Sequence, residues 1–267
     1  QGRVVAFSGR ALRDHPSEKK SEGPTPKYIN SPESPIYTKG QNLFGLYQAR
    51  HEIRADGNAV LVEGNFDVVS LHARGLGTAV APLGTAFTVE QAKLLKRFAS
   101  HVTFLFDADA AGAKAVRLSR EPAREAGLST RVAQLPEGLD PDEFSRSRGI
   151  DALYDVLKAG RGMGEFLIET ELDATFGSAD AYEKKERVAR VVKILQEEDD
   201  PLVRSMLKSF TDRIAGRLDL VRSPEAFRAL EQTVDKAFRE AKARGVPPVS
   251  PKDARIKVRP AGSLERR

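Results

Sequence analysis

The sequence contains no cysteine. That excludes disulfides and any zinc centre built on thiolates, and it fits a cytoplasmic setting. It also lacks the roughly 20 consecutive uncharged apolar residues that a helix needs to cross a bilayer. No basic-then-apolar segment opens it, so neither a membrane span nor a secretory signal is expected. It shows no internal repeat and no G-x-x-x-x-G-K-[ST] phosphate loop. A strong excess of one charge is missing too. Lys and Arg total 43 against 38 for Asp and Glu, a net charge of +5. That excess favours polyanionic partners but is also found on ordinary globular proteins.

The 267 residues are 40% hydrophobic and 30% charged, the composition of a folded chain of one or two domains. The first residue is Gln1, and QGRVVAFSGRAL begins in the middle of what reads as a strand. The expectation is a piece of a longer protein. Residues 1–45 form a first region, rich in Gly, Pro, Ser and Lys. GRVVAFSGRAL reads as a strand pair or hairpin, RDHPSEKKSEGPTP as a polar loop and KYINSPESPIYTKG as an irregular, proline-restrained segment. NLFGLYQARHEI reads as a short helix with Leu43, Leu46 and Tyr47 on one side.

Across residues 46–148 apolar strands alternate with helices. AVLVEG, TAVAPLG, HVTFLFDAD and STRVAQLP are the strands. DVVSLHARG, TVEQAKLLKRFA, AGAKAVRLSREPAREAG and PDEFSRSRG are the helices, the second opened by Thr88 with Gln91 in capping-box position, the third with a possible bend at Pro122. No two-residue hairpin turn joins the strands, so the fold class is α/β, a parallel sheet with helices on both faces. Helical periodicity alone continues over 149–222, where Val188, Val191, Val192 and Leu195 make one stripe. Residues 223–267 read as one more helix, with Phe227, Leu230, Val234 and Phe238 on one face, and a basic, Pro-rich disordered linker or tail.

VTFLFDADAAG carries the chemistry. Residues two apart in a strand point the same way, so Asp107 and Asp109 face together with Cβ atoms about 7 Å apart. Two like charges beside a low-dielectric sheet end repel. A hard divalent cation would reconcile them. The pair alone is equally compatible with a helix cap at Asp109 and a solvated Asp107. It is not alone, however. AVLVEG ends in Glu63, with Asp67 one turn into the next helix, and LPEGLDPDEF carries Asp140 and Asp142. Singly, these are a strand-end charge and a turn with an N-cap; together they put acids at the carboxyl ends of three strands, the edge where ligands of such sheets bind.

EGNFDVVSLHARG followed by FDADAAG resembles the Toprim signature, EGxxD and then DxDxxG at a strand end. KYINSPESPIYTKGQNLFGLYQAR, VAPLGTAFT and LPEGLDPDEF resemble segments of bacterial replicative primases of the DnaG type, and the likeness covers roughly residues 1–148. The resemblance implies an RNA polymerase core that makes short RNA primers on single-stranded DNA from ribonucleoside triphosphates, with Mg2+ or Mn2+, at the replication fork. It implies catalytic, metal-binding roles for Glu63, Asp107 and Asp109, completed by Asp67, Asp140 and Asp142. It implies a nucleic-acid groove at Lys27, Asn30 and Lys39, with Tyr28 either stacking on a base or packing. The family's zinc-binding domain is not expected in a cysteine-free chain, and its replicative-helicase contact is expected in a region outside these residues. Three positions depart from the pattern: Ala108 stands where glycine is common, Ala110 where arginine is common and Asn65 where an aromatic is common. The competing readings are a DNA-cleaving Toprim nuclease, which would usually bring an ATPase partner, and an inactive nucleic-acid-binding module, against which the full acidic set argues.

Overall fold

The computed structural model describes residues 4–10, 28–106, 110–136, 139–198 and 200–217, together with Gln232, Lys236 and Arg239. The chain forms two compact units, Gln1–Leu167 and Ile168–Arg267. In the first, β1 (Ser8–Arg10) pairs antiparallel with β2 (Tyr28–Asn30). Tyr28–Asn30 is thus a strand and not the irregular segment expected, because its partner lies about twenty residues upstream, beyond the reach of local pattern. A short 3-10 turn, Lys39–Gln41, leads to α1 (Leu46–Asp56). Leu46, Ala49 and Ile53 form the buried face of α1, whereas Tyr47 is 52% exposed. The small Ala49 lets the helix approach the sheet along a line that turns Tyr47 outward.

The main sheet has the order β4-β3-β5-β6-β7. Strands β3 (Asn58–Leu61), β4 (Ala79–Val80), β5 (His101–Phe106) and β6 (Ser129–Gln134) are mutually parallel where they pair, and β7 (Arg161–Gly162) runs antiparallel along β6. The antiparallel edge strand was not expected, since two residues give no periodicity to read. Between the strands run α2 (Asn65–Ala73), α3 (Val89–Lys96), α4 (Ala110–Glu125), α5 (Pro141–Arg148) and α6 (Ile150–Ala159). Strands covered on both faces have to be apolar throughout, and Ala59, Val60, Leu61, Val102, Phe104 and Leu105 are all buried. Val60, Val62, Val68, Leu71, Leu105, Ala133, Phe144 and Leu153 form one core. Leu153 lies on α6, so the sheet's packing continues past residue 148, where the sequence reading placed a boundary. On β5, Phe104 meets Phe87 and Phe106 edge-on, with centroids 5.9 and 5.7 Å apart.

The entry to α1 is fixed by close approach. Phe44 and Ala81 exchange backbone hydrogen bonds of 2.8 and 3.2 Å. The next residue, Gly45, has φ of 81°, and a Cβ there would stand 2.6 Å from Val68 Cγ1 and 3.1 Å from the Ala79 carbonyl oxygen. Only glycine meets both demands.

The second unit begins within α7 (Met163–Glu171) and continues through α8 (Ala181–Gln196) and α9 (Pro201–Arg217). The expected stripe on α8 is buried at Val191, Val192 and Leu195, joined by Ile194. Arg187 is buried beside it. Its guanidinium donates to the carbonyl oxygens of Glu171 (2.6 Å) and Thr170 (3.3 Å), the Thr175 hydroxyl (3.0 Å) and the Asp173 carboxylate (2.8 Å). It thereby ties the C-terminal turn of α7 and the Asp173–Thr175 bend to α8. Partial burial opposes the charge on Asp173, but hydrogen bonds from Thr175 and Arg187 outweigh it and hold the carboxyl below its ordinary value of 3.8. Of the last helix expected from the sequence, Gln232, Lys236 and Arg239 are helical and exposed; Phe227, Leu230, Val234 and Phe238 lie outside the described residues.

Gly45→Ala combines a strained φ with overpacking and should cost about 2–4 kcal/mol, read as a lowered denaturation midpoint. Arg187→Met leaves the buried Glu171 carbonyl and the partly buried Thr170 carbonyl without this donor and should cost about 2 kcal/mol or more. Asp173→Asn supplies the pH signature. The folded carboxyl has the lower pKa, so its contribution is complete above 3.8 and disappears as pH falls through the folded value. Wild type should therefore melt higher than Asp173→Asn at neutral pH, and the two should converge in acid.

Candidate active site

Because β3, β4, β5 and β6 run the same way, their carboxyl ends open on one edge. The register pairs Leu61 with Phe104, so β3 and β5 reach that edge side by side. β3 continues through buried Val62 into exposed Glu63. Gly64 follows as the N-cap of α2, and its amide donates to Asp67 Oδ2 at 3.1 Å. A Cβ on Gly64 would lie 2.7 Å from that oxygen, which accounts for glycine after the glutamate. Asp67 sits in the first helical turn, where the helix dipole favours its charge.

β5 ends at Phe106 and α4 begins at Ala110. Asp107, Ala108 and Asp109 lie outside the described residues. Beyond β6, Asp140 caps α5, its Oδ1 accepting from the Glu143 amide at 2.7 Å. No described residue bonds Asp140 Oδ2. Asp142 is differently engaged. Its Oδ1 accepts from the Ser70 hydroxyl and stands 3.2 Å from Arg74, and its Oδ2 stands 3.9 Å from Arg146. Arg74 also donates to the Ser70 hydroxyl, so the four side chains form one network joining α2 to α5. Sequence reading missed Ser70 and Arg74, since nothing in the local spacing relates them to a residue about seventy positions away.

Hard carboxylate oxygens on separate elements are the donor set of Mg2+ or Mn2+. Glu63, Asp67 and Asp140 fit that chemistry, with Asp67 and Asp140 each giving one oxygen to a helix cap. Among the described residues, no group of three or more acids or histidines is close enough to hold an ion without Asp107 and Asp109.

On the N-terminal side, Lys27 and the side chain of Tyr28 lie outside the described residues. Asn30 is half-buried, and its amide nitrogen donates to the Leu83 carbonyl at 3.4 Å, next to Gly84. Its Oδ1 is buried with no hydrogen-bond partner among the described residues. Lys39 opens the 3-10 turn, its amide donating to Glu33 Oε1 at 3.0 Å. Asn65, the departure from an aromatic, donates to the Ser8 hydroxyl at 2.8 Å and so links α2 to β1.

Comparison with known proteins agrees with this geometry. The Toprim-like family matches residues 60–145, and the family described as the DNA primase catalytic core, N-terminal domain, matches residues 1–50. A DNA primase of Aquifex aeolicus (strain VF5) is 43% identical over 170 residues, 64% of this chain and 32% of that protein. The crystal structure of a DNA primase domain from Pseudomonas aeruginosa superposes with a TM-score of 0.66 at 32% identity, covering 88% of this chain and 68% of that one. The structure of a DnaG primase catalytic domain bound to single-stranded DNA gives a TM-score of 0.65 at 30% identity, covering 79% of this chain and 66% of that one. The chain spans between 24% and 34% of the length of the first curated relatives it matches. With two consecutive family matches and a shared catalytic-core fold, the chain belongs to the DnaG-type bacterial DNA primases.

Proposed function

We propose that this chain carries the catalytic centre for synthesis of short RNA primers on a single-stranded DNA template from ribonucleoside triphosphates. The observation that carries the reading is the parallel β3–β5 register, which delivers the Glu63 end of one strand and the Phe106 end of the next, continuing into Asp107, to the same edge of the sheet. Carboxylates alone repel a triphosphate. Divalent cations held at Glu63, Asp107 and Asp109 would neutralise the phosphates and lower the pKa of the primer 3′-hydroxyl that attacks the α-phosphorus. The chain itself supplies rigidity. Buried strand bodies hold the backbone that leads into Glu63 and ends at Phe106, and helix N-termini hold Asp67 and Asp140 of the proposed acidic set. Asp142 completes the acidic set with a charge already balanced by Arg74, and its main effect is to hold α5 against α2. Lys27 and Lys39 hold template phosphates without reading sequence. Asn30 keeps β2 against the loop after β4 through its bond to the Leu83 carbonyl, and so supports the backbone of the groove.

The testing assay mixes the chain with single-stranded template, labelled ribonucleotides and Mg2+ or Mn2+. Wild type should make short RNA, and Asp109→Ala should lower the yield about 100-fold or more. Plasmid nicking in place of RNA would favour a Toprim nuclease. A binding readout separates the acids. Mg2+ should raise the melting temperature of wild type by preferential binding to the folded state, and Asp109→Ala should abolish that shift. Asp142→Asn should cost about 1 kcal/mol of stability from its half-exposed ion pair while keeping most of the Mg2+ shift.

A further inference from the structure

We infer that Gln91 is a positioning residue for template binding: from the first turn of α3 it fixes the backbone that carries Lys39. This rests on the reading of Lys39 as a phosphate contact.

Gln91 is fully buried, at 0% exposure. Its Oε1 accepts from the Thr88 amide at 3.1 Å, and its own amide donates to Thr88 Oγ1 at 3.1 Å, completing a capping box. A capping box needs only the side-chain oxygen, so glutamate would serve it equally, and the helix dipole would favour the negative charge. What glutamate lacks is the amide nitrogen. In Gln91 that nitrogen donates to the Lys39 carbonyl at 3.0 Å and the Asn42 carbonyl at 2.8 Å, about fifty residues away in sequence. Both donors and the acceptor are thus satisfied in a site closed to water, which is how a buried amide is retained. Thr88 adds a bond from its hydroxyl to the Gly40 carbonyl. The 3-10 turn Lys39–Gln41 and its C-cap Asn42 are therefore gripped at three carbonyls, of Lys39, Gly40 and Asn42, by the N-cap and first turn of one helix.

Lysine grips phosphate as a point charge on a flexible stem. A fixed Cα limits the ordering cost of that contact, and a loosened turn would raise it. Gln91→Glu keeps shape and cap but turns an acceptor toward two carbonyls, so it should release the turn while leaving the sheet intact.

The test measures affinity of the 267-residue chain for a fluorescent oligothymidylate by anisotropy across a salt series. One lost phosphate contact lowers the slope of log affinity against log salt by about 0.7 for a single strand. Lys39→Ala should show that loss with binding about fivefold weaker. Gln91→Glu should reproduce both effects, and Lys39→Ala/Gln91→Glu should be no worse than Lys39→Ala alone. Merely general destabilisation would weaken binding without changing the slope and would add to Lys39→Ala. If Gln91→Glu melts too low for the titration, Thr88→Val removes the bond to Gly40 and carries the same slope comparison. A folded Gln91→Glu with the wild-type slope, beside Lys39→Ala with a reduced one, overturns the inference alone. A wild-type slope in Lys39→Ala overturns the Lys39 reading, and the inference falls with it.

Discussion

Parallel pairing of β3 with β5 is the constraint on which the rest depends. Two apolar strands, closed to water on both faces, run side by side with Leu61 level with Phe104, and β5 runs on to Phe106. The buried bodies of Ala59, Val60, Leu61, Val102, Phe104 and Leu105 leave little freedom at the strand ends. Acids come just beyond the strand bodies, where Glu63 follows one strand and Asp107 the other in sequence. The sheet is thus a support whose carboxyl edge leads into acids, and the proposed divalent cation would reconcile their charges.

The segment before the sheet depends on the same support. Phe44 pairs with Ala81 across the end of β4, Asn30 bonds the Leu83 carbonyl, and Gln91 with Thr88 holds the turn at Lys39. Each contact joins residues 30–44 to residues 81–91, the stretch between β4 and the first turn of α3. The segment that carries Lys39 and the strands that lead toward the acids are therefore adjacent elements of one unit.

Much of this was legible in the sequence because it is local. Strand-helix alternation, the Thr88–Gln91 capping box, the cap at Asp140 and the EG-x-x-D spacing are all patterns within a few residues. What was not legible depends on partners far along the chain. Tyr28–Asn30 carries no alternation and becomes a strand only by pairing with Ser8–Arg10. Tyr47 looked like a core residue by spacing, but Ala49 lets the helix settle with Tyr47 outward. Asp142 read as one more acid of the cluster, and its ion pair with Arg74 appears only when α2 and α5 are brought together. Arg187, next to the valine stripe of α8, was not singled out in the sequence, and its burial follows from partners at Thr170–Thr175. The second nature of Gln91, as donor to Lys39 and Asn42, was invisible beneath its capping role.

The proposed function puts one cation site at the carboxyl edge between β3 and β5. Anomalous scattering from crystals of the chain soaked in Mn2+ tests it most directly, since the ion is located without reference to activity. The account predicts an anomalous peak bounded by carboxylate oxygens of Glu63, Asp107 and Asp109, at the roughly 2.0–2.2 Å distances of hard-cation coordination. Ordered density for all three side chains with no peak between them, or a peak bound only at other acids, would contradict it.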